Sequence, residues 1–372
     1  MHPVLVRCGS LRPLRFALAP ARRVGPGASG DRGSGGASPA RRRPVGWMVL
    51  ILGLAGAMLP PVQAAEPQNG VDDWYARIRA AAASNSYVGH YVVTSDGTAS
   101  SVRITHYGQG RDSFERIESL DGVPRVVLRH NETVHTVWPR DRVTVVEQRS
   151  QLGSFPAPAQ ATGQRLDDHY RIGSVEAGRV AGREAEVVTI QGRDEWRYGH
   201  RLWVDTSTRL LLRTDVLAGR DVVLASAAFT DLTLGIKPQP GLVTAAMKAR
   251  ADNWQMLSSP VQPTTLQAEG WRIEPLPPGY RLLSSVRRPL QTTPKGAPAG
   301  GTALQAVYTD GLASVSVFLE DGGGSGPPSG MLQTGATTTV MQQRERFRVT
   351  VVGDVPVQTA RRFAEVVQRK AP

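Results

Sequence analysis

The sequence predicts an α+β protein of mostly antiparallel strands, divided into a large unit and a smaller one. Three observations carry this. Strand-like runs follow one another from Tyr87 to Leu234 with only short turns between them. A Pro/Ser-rich stretch at residues 258–263 interrupts the pattern, and alternating apolar residues resume beyond Trp271. The 40 % hydrophobic and 20 % charged content excludes both a disordered chain and a multi-span membrane protein.

The formal net charge of +12 invites a nucleic-acid reading, but its location argues against one. Residues 1–46 hold nine Arg and a single acid, Asp31, so most of the excess sits at the start of the chain. Arg41-Arg42-Arg43 precedes a 13-residue apolar run, Trp47 to Leu59, which Pro60-Pro61 breaks before Val62-Gln63-Ala64. That order is a secretory signal: basic region, short apolar core, small residues at the cut. The run is too short to cross a hydrocarbon core of roughly 30 Å. Export with cleavage near Ala64 is therefore expected, and an uncleaved anchor is the weaker reading. The Gly/Ala/Arg/Pro-rich residues before Arg41 are long for such a region, which leaves the true translation start open. Cys8 is the only cysteine, so the exported part would carry no disulfide, thiol nucleophile or Cys-ligated metal.

The elements follow in order. Asp72 or Asp73 can cap a helix in which Trp74, Ile78, Ala81 and Ala82 form one apolar stripe. Strands are expected at residues 87–94, 99–107, 112–120, 125–130, 133–138 and 143–148, then at 184–191, 201–204, 210–216 and 222–234. Turn residues such as Asp96-Gly97 and Asp121-Gly122 separate them, as in an antiparallel meander. Residues 149–164, with Phe155-Pro156-Ala157-Pro158, read as a long binding loop or as plain disorder. Residues 243–256 suggest a helix and 258–263 a linker. In the smaller unit, alternation predicts strands around Ala313–Leu319 and Phe347–Val351, with a flexible Gly-rich loop at 322–328 between them. Ala360, Phe363, Ala364 and Val367 predict a closing amphipathic helix. The divisions are a leader at 1–64, a large unit at 65–235, a linker at 236–265 and a smaller unit at 266–372. The large unit with its linker is charge-neutral, while residues 266–372 hold 12 bases against eight acids. That excess is either a solvated surface or a docking face for an acidic partner or anionic head groups.

Motifs for chemistry are missing. There is no Gly-x-Ser-x-Gly elbow and no phosphate-binding glycine loop. His130 and His135 flank a turn at a spacing unlike a helical zinc motif, so surface histidines are the better reading, and no cofactor or metal is expected. Adjacent acids at 167–168 and 194–195 point to opposite faces on a strand or are solvated on a loop. Binding candidates are apolar instead. Trp138, Phe155 and Trp196 could line the concave side of a curved sheet able to hold lipid chains, while Trp203 reads as ordinary core. Tyr280, Arg281, Arg287 and Arg288 place cations beside an apolar strand, suited to an acidic peptide or simply solvated.

Several segments together resemble the RseB/MucB family of periplasmic sigma-E regulators. They are Glu115-Arg116-Ile117-Glu118-Ser119-Leu120-Asp121-Gly122-Val123-Pro124-Arg125, Arg201-Leu202-Trp203-Val204-Asp205 followed by Leu210-Leu211-Leu212-Arg213-Thr214-Asp215, and Leu276-Pro277-Pro278-Gly279-Tyr280, then Tyr308-Thr309-Asp310-Gly311-Leu312-Ala313-Ser314-Val315-Ser316-Val317-Phe318 and Val349-Thr350-Val351-Val352-Gly353-Asp354-Val355-Pro356. The resemblance runs from about Asp72 to Val367. It implies that the large unit is a half-open β-barrel similar to lipoprotein carriers, joined to a small α/β sheet domain. It also implies binding to the periplasmic domain of a membrane anti-sigma factor, shielding it from the first stress protease, with lipid or lipopolysaccharide-like ligands displacing the complex. No catalytic residue comes with it. Two other classes compete: a periplasmic lipid or lipoprotein carrier, against which the second unit argues, and a periplasmic hydrolase, which needs a solvent-facing acid or His pair. Self-association into a homo-oligomer stays open.

Overall fold

The computed structural model describes residues 70–110, 112–148, 163, 165–249, 253–258, 261–289, 301–321, 329–344 and 346–369. The leader, Cys8, the loop carrying Phe155 and the Gly-rich loop at 322–328 lie outside these residues.

Helix α1 (Val71–Ser84) leads into β1 (Tyr87–Ser95), β2 (Thr98–Gln109), β3 (Asp112–Ser119), β4 (Val126–His130), β5 (Thr133–Trp138) and β6 (Val143–Gln148). After a short helical turn at Leu166–Asp168 come β7 (Tyr170–Val180), β8 (Arg183–Gly192), β9 (Gly199–Asp205), β10 (Leu211–Ala218) and β11 (Val222–Leu234). Next are α2 (Pro240–Lys248), β12 (Gln255–Ser258) and β13 (Gln262–Pro263). The smaller unit adds β14 (Trp271–Ile273), β15 (Arg281–Pro289), β16 (Thr302–Thr309), β17 (Ser314–Asp321), β18 (Gly330–Thr334), β19 (Thr337–Gln343), β20 (Phe347–Gly353), α3 (Val357–Glu365) and β21 (Val367–Arg369).

These strands make one 12-stranded sheet, ordered β12-β6-β5-β4-β3-β2-β1-β11-β10-β9-β8-β7, and one seven-stranded sheet, ordered β13-β15-β16-β17-β20-β19-β18. Neighbours are antiparallel except β12, which runs parallel to β6. The two ends of the large sheet, β12 and β7, do not pair, so it is an open, half-barrel sheet and not a closed barrel. The expected α+β, mostly antiparallel fold with a large half-open sheet and a smaller α/β unit is what the chain adopts.

The helices cover apolar rows set by strand alternation. Val71, Trp74, Tyr75 and Ile78 of α1 pack on Val188, Ile190, Leu202, Val204 and Leu211. Val243 of α2 packs with Phe114, Leu128, Val126 and Val137. In the smaller unit Phe363, Ala360 and Ala364 of α3 are buried on Val315, Val317, Val349 and Val351.

Four expectations change. No side chain of the helix's own first turn caps α1. Asp167 does, taking the Val71 N–H at 2.8 Å, while Asp72 accepts the Leu166 N–H at 3.0 Å in return. Strand β7 was not foreseen because it is an edge strand with largely exposed, charged side chains and two interior glycines, Gly173 and Gly178. The helix expected at 243–256 is shorter, and its end forms β12 instead. The stretch read as a linker lends β12 to one sheet and β13 to the other, since an edge strand tolerates the Pro263 ring.

The turn after β9 explains one sequence segment. Asp205, almost fully buried, accepts hydrogen bonds from Ser207 and Thr208, each through backbone N–H and hydroxyl, while Arg183 Nε donates to its other oxygen at 2.6 Å. Burial alone would raise its pKa, but these donors outweigh it and hold the carboxyl well below its ordinary value. Asp205→Ala is expected to lower unfolding stability by about 2–4 kcal/mol, measured by urea denaturation, since it strands the Arg183 charge and several turn donors.

Candidate functional site

The best-built polar site lies where the large sheet meets the small one, within one compact unit. The β8–β9 turn presents Arg197, whose side chain is fully buried, as its hub. Its Nη1 donates to Asp310 Oδ2 at 2.7 Å, and its Nε and Nη2 donate to the two Asp194 oxygens at 2.8 and 3.0 Å. Nη2 also reaches the Pro278 carbonyl at 2.6 Å. The guanidinium sits over the rings of Tyr170 and Tyr280, 5.4 and 5.6 Å from their centroids.

Asp310 does two jobs. Its Oδ1 accepts the N–H groups of Leu312 and Ala313, which closes the β16–β17 turn. Its Oδ2 accepts Tyr170 O–H at 2.8 Å and Arg197, both from the other sheet. Thr309 Oγ1 adds a bond to the Ala313 carbonyl and accepts Gly311 N–H. So the Thr309-Asp310-Gly311-Leu312-Ala313 segment is a turn that ties one module to the other.

The Leu276-Pro277-Pro278-Gly279-Tyr280 segment is the second tie. Tyr280 O–H donates to the Trp196 carbonyl at 3.1 Å, and its ring meets Phe363 edge-on at 5.4 Å. Gly279 has φ +83°, and a Cβ there would lie 2.6 Å from His169 Nε2, so the conformation and the close approach both call for glycine. From α3, Gln358 Nε2 donates to the Glu195 carbonyl at 2.7 Å and Thr359 Oγ1 to the Trp196 carbonyl at 2.9 Å. Farther along, Arg288 pairs with Glu147 at 3.1 Å, linking β15 to β6. Beside this junction an open groove of about 590 Å³ runs between Trp196, Leu276, Pro277 and Pro278 on one wall and Arg361 and Arg362 on the other.

Burial controls the titratable groups here. It pushes the His200 imidazole down to about 4, with the Asp310 charge opposing only in part. Burial and then the Asp310 carboxylate push the Tyr170 and Tyr280 hydroxyls well above their ordinary value, so both stay protonated donors. In the large sheet, burial would raise Glu115, but a hydrogen bond from His106 at 3.2 Å and the nearby Arg129 hold it below the ordinary range. That His–Glu pair is nearly solvent-free, unlike the water-facing pair a hydrolase needs. Among the described residues no group of three or more His, Cys, Asp or Glu could hold a metal ion.

The residues singled out by sequence do not form one site. Trp138 is half-buried at the end of β5, and Val137 beside it packs under α2, so Trp138 faces the other side of the sheet. Phe155 lies outside the described residues. Trp196 packs against the core of the small sheet, at the junction. Tyr280 is buried there too, Arg287 pairs with Glu269, and Arg288 with Glu147, while Arg281 is exposed. Arg197 and Asp310 were missed. Only Asp310, inside the Tyr308–Phe318 segment, carried a hint of a role, since a partner 113 residues away leaves no local signal.

Comparison with known proteins gives matches over both modules. The MucB/RseB N-terminal domain matches residues 70–250 and the MucB/RseB C-terminal domain residues 265–368. Sigma factor AlgU regulatory protein MucB of Pseudomonas aeruginosa is 30 % identical over 329 residues, covering 87 % of this chain and 97 % of that protein. Sigma-E factor regulatory protein RseB of Escherichia coli K12 is 26 % identical over 324 residues, with the same coverage. The crystal structure of MucB in complex with MucA(peri) superposes with a TM-score of 0.60 at 29 % identity, covering 81 % of this chain and 99 % of that one.

Two outcomes follow from the junction. Asp310→Ala should cost about 2–4 kcal/mol of unfolding stability by removing one of the two carboxylate partners of buried Arg197 and the acceptor of the Tyr170 hydroxyl and two turn N–H groups, and Arg197→Met added to it should cost less than the sum of the two single changes, read by urea denaturation. His200 has a lowered folded pKa, so the unfolded chain binds its proton first as pH falls. Stability should therefore decline from about pH 6.5 toward about pH 4, and His200→Phe should flatten that part of the urea-midpoint profile.

Proposed function

Because the chain belongs to the MucB/RseB family, we propose that it is a periplasmic regulatory binding protein and not an enzyme. It captures the periplasmic domain of a membrane anti-sigma factor, shields that domain from the stress protease and so represses the envelope stress response. The observation that supports this best is the match in family order across both modules, extending to a relative solved with MucA(peri). Export with cleavage near Ala64 fits a partner that presents itself outside the cytoplasm.

The work divides between the modules. Residues 65–235 take a lipid or lipopolysaccharide-like ligand, with Trp138 on the sheet face away from α2 and Phe155 in its loop as contacts. Residues 236–265 connect, and residues 266–372 engage the partner, with exposed Arg281 on that module. Release is linkage: a ligand that prefers the free protein over the partner-bound one loosens the complex by its differential affinity, about tenfold per 1.4 kcal/mol. A ligand with equal affinity for both forms would do nothing.

The test is calorimetry of the purified protein with the MucA periplasmic domain, with and without lipopolysaccharide. Saturable binding that weakens as lipopolysaccharide is added is expected. Absence of binding would refute capture, and affinity indifferent to lipopolysaccharide would refute ligand-driven release.

A further inference from the structure

The groove at the junction is preformed and chemically two-sided. One wall is apolar: Trp196 from the β8–β9 turn, with Leu276, Pro277 and Pro278. The other is the outward stripe of α3, where Gln358, Arg361, Arg362 and Glu365 recur at helical spacing opposite the buried Thr359, Ala360, Phe363 and Ala364. The two α3 hydrogen bonds to the Glu195 and Trp196 carbonyls fix the distance between the walls. The groove thus exists before anything enters it, which spares an occupant the cost of ordering it.

Charge points to the occupant. Five of the ten described cations of the smaller module are neutralised: Arg272 by Glu274, Arg287 by Glu269, Arg288 by Glu147, Arg348 by Glu320 and Arg369 by Asp321. Arg344 is spent on the carbonyls of Val367, Ala364 and Glu365. Arg361 and Arg362 make no ion pair among the described residues, and they flank an apolar wall that Arg281 and Arg346 lack. Guanidinium groups beside an apolar cleft favour carboxylates flanking an apolar side chain.

We propose that this groove receives an acidic segment of the partner polypeptide, seating an apolar side chain between Trp196 and Pro277 while its carboxylates meet Arg361 and Arg362. This deepens the reading of the chain as a partner-binding protein and rests on it. Both modules build the groove, so capture and module docking share residues.

The probe is a short fluorescent peptide of Glu, Ser and Leu, with a counterpart carrying Lys in place of Glu, titrated by anisotropy. The acidic peptide should bind the wild type and weaken at least about tenfold in R361E/R362E, which changes only outward-facing α3 side chains. The control R140E/R220E alters two exposed arginines of the large sheet by the same charge and should bind as the wild type does. The Lys peptide should not bind. Equal affinity in R361E/R362E, equal loss in the control, binding of the Lys peptide or no binding to the wild type would each overturn the proposal. The MucA periplasmic domain separates it from the functional reading. Capture by wild type and R361E/R362E alike would overturn the groove alone. Failure of the wild type to capture it, with the acidic peptide still bound through Arg361 and Arg362, would overturn the function alone.

Discussion

The arrangement of the two modules depends on a charge pair that neither could hold alone. Arg197 and Asp310 have no solvent-exposed side-chain surface, so Asp310 depends on Arg197 for its counter-charge, and Arg197 on Asp310 together with Asp194. Such a pair contributes little net stability beside an apolar pair of similar volume, because desolvating both ions offsets most of their attraction. What it supplies is selection. A shifted docking of the small sheet would take from Asp310 its counter-charge and from Arg197 one of its two carboxylate partners, so alternatives are penalised more than the observed one is favoured. Asp194 and the Pro278 carbonyl take three more of the guanidinium N–H groups, and Tyr170 donates to the same carboxylate oxygen as Arg197, so every nitrogen of the guanidinium and both oxygens of Asp310 have a partner.

The sequence shows its hairpins plainly because their information is local. Asp96-Gly97, Asp121-Gly122 and Asn131-Glu132 stand between alternating apolar runs, and the chain turns at each of them. Strand β7 shows what local information misses. Paired on one side only, it needs no continuous apolar face, and Arg171, Glu176 and Arg179 read as loop. Strands β12 and β13 are harder still. Their Ser and Pro content is that of a linker, and what makes them strands is an open edge waiting on β6 and β15.

The site was less legible for a related reason. Sequence shows a charge but not its partner. Arg288 and Tyr280 drew notice as a cation and an aromatic beside an apolar strand, yet each is committed inside the molecule, to Glu147 and to the Trp196 carbonyl, 141 and 84 residues away. Trp196 reads in the sequence as a lipid contact because a large apolar side chain suits the concave side of a curved sheet. In the structure it joins the small sheet's core across the junction. Arg361 and Arg362 looked ordinary because helix α3 announces only its buried stripe.

The same junction sets the terms on which one module can influence the other. Close-packed interiors do not deform smoothly, so a ligand in the large sheet alters the small one only through an element with two discrete arrangements. The β8–β9 turn is suited to that position: it continues strands that line the α1 core, carries Arg197 and Trp196, and forms one wall of the groove with Leu276 and Pro277. Shifting it would break the Tyr280 and Thr359 bonds to the Trp196 carbonyl and uncover the Arg197 charge together, since all of them hang on the same few residues. A small displacement there is therefore opposed by several interactions at once, and coupling through it would be all-or-none in character.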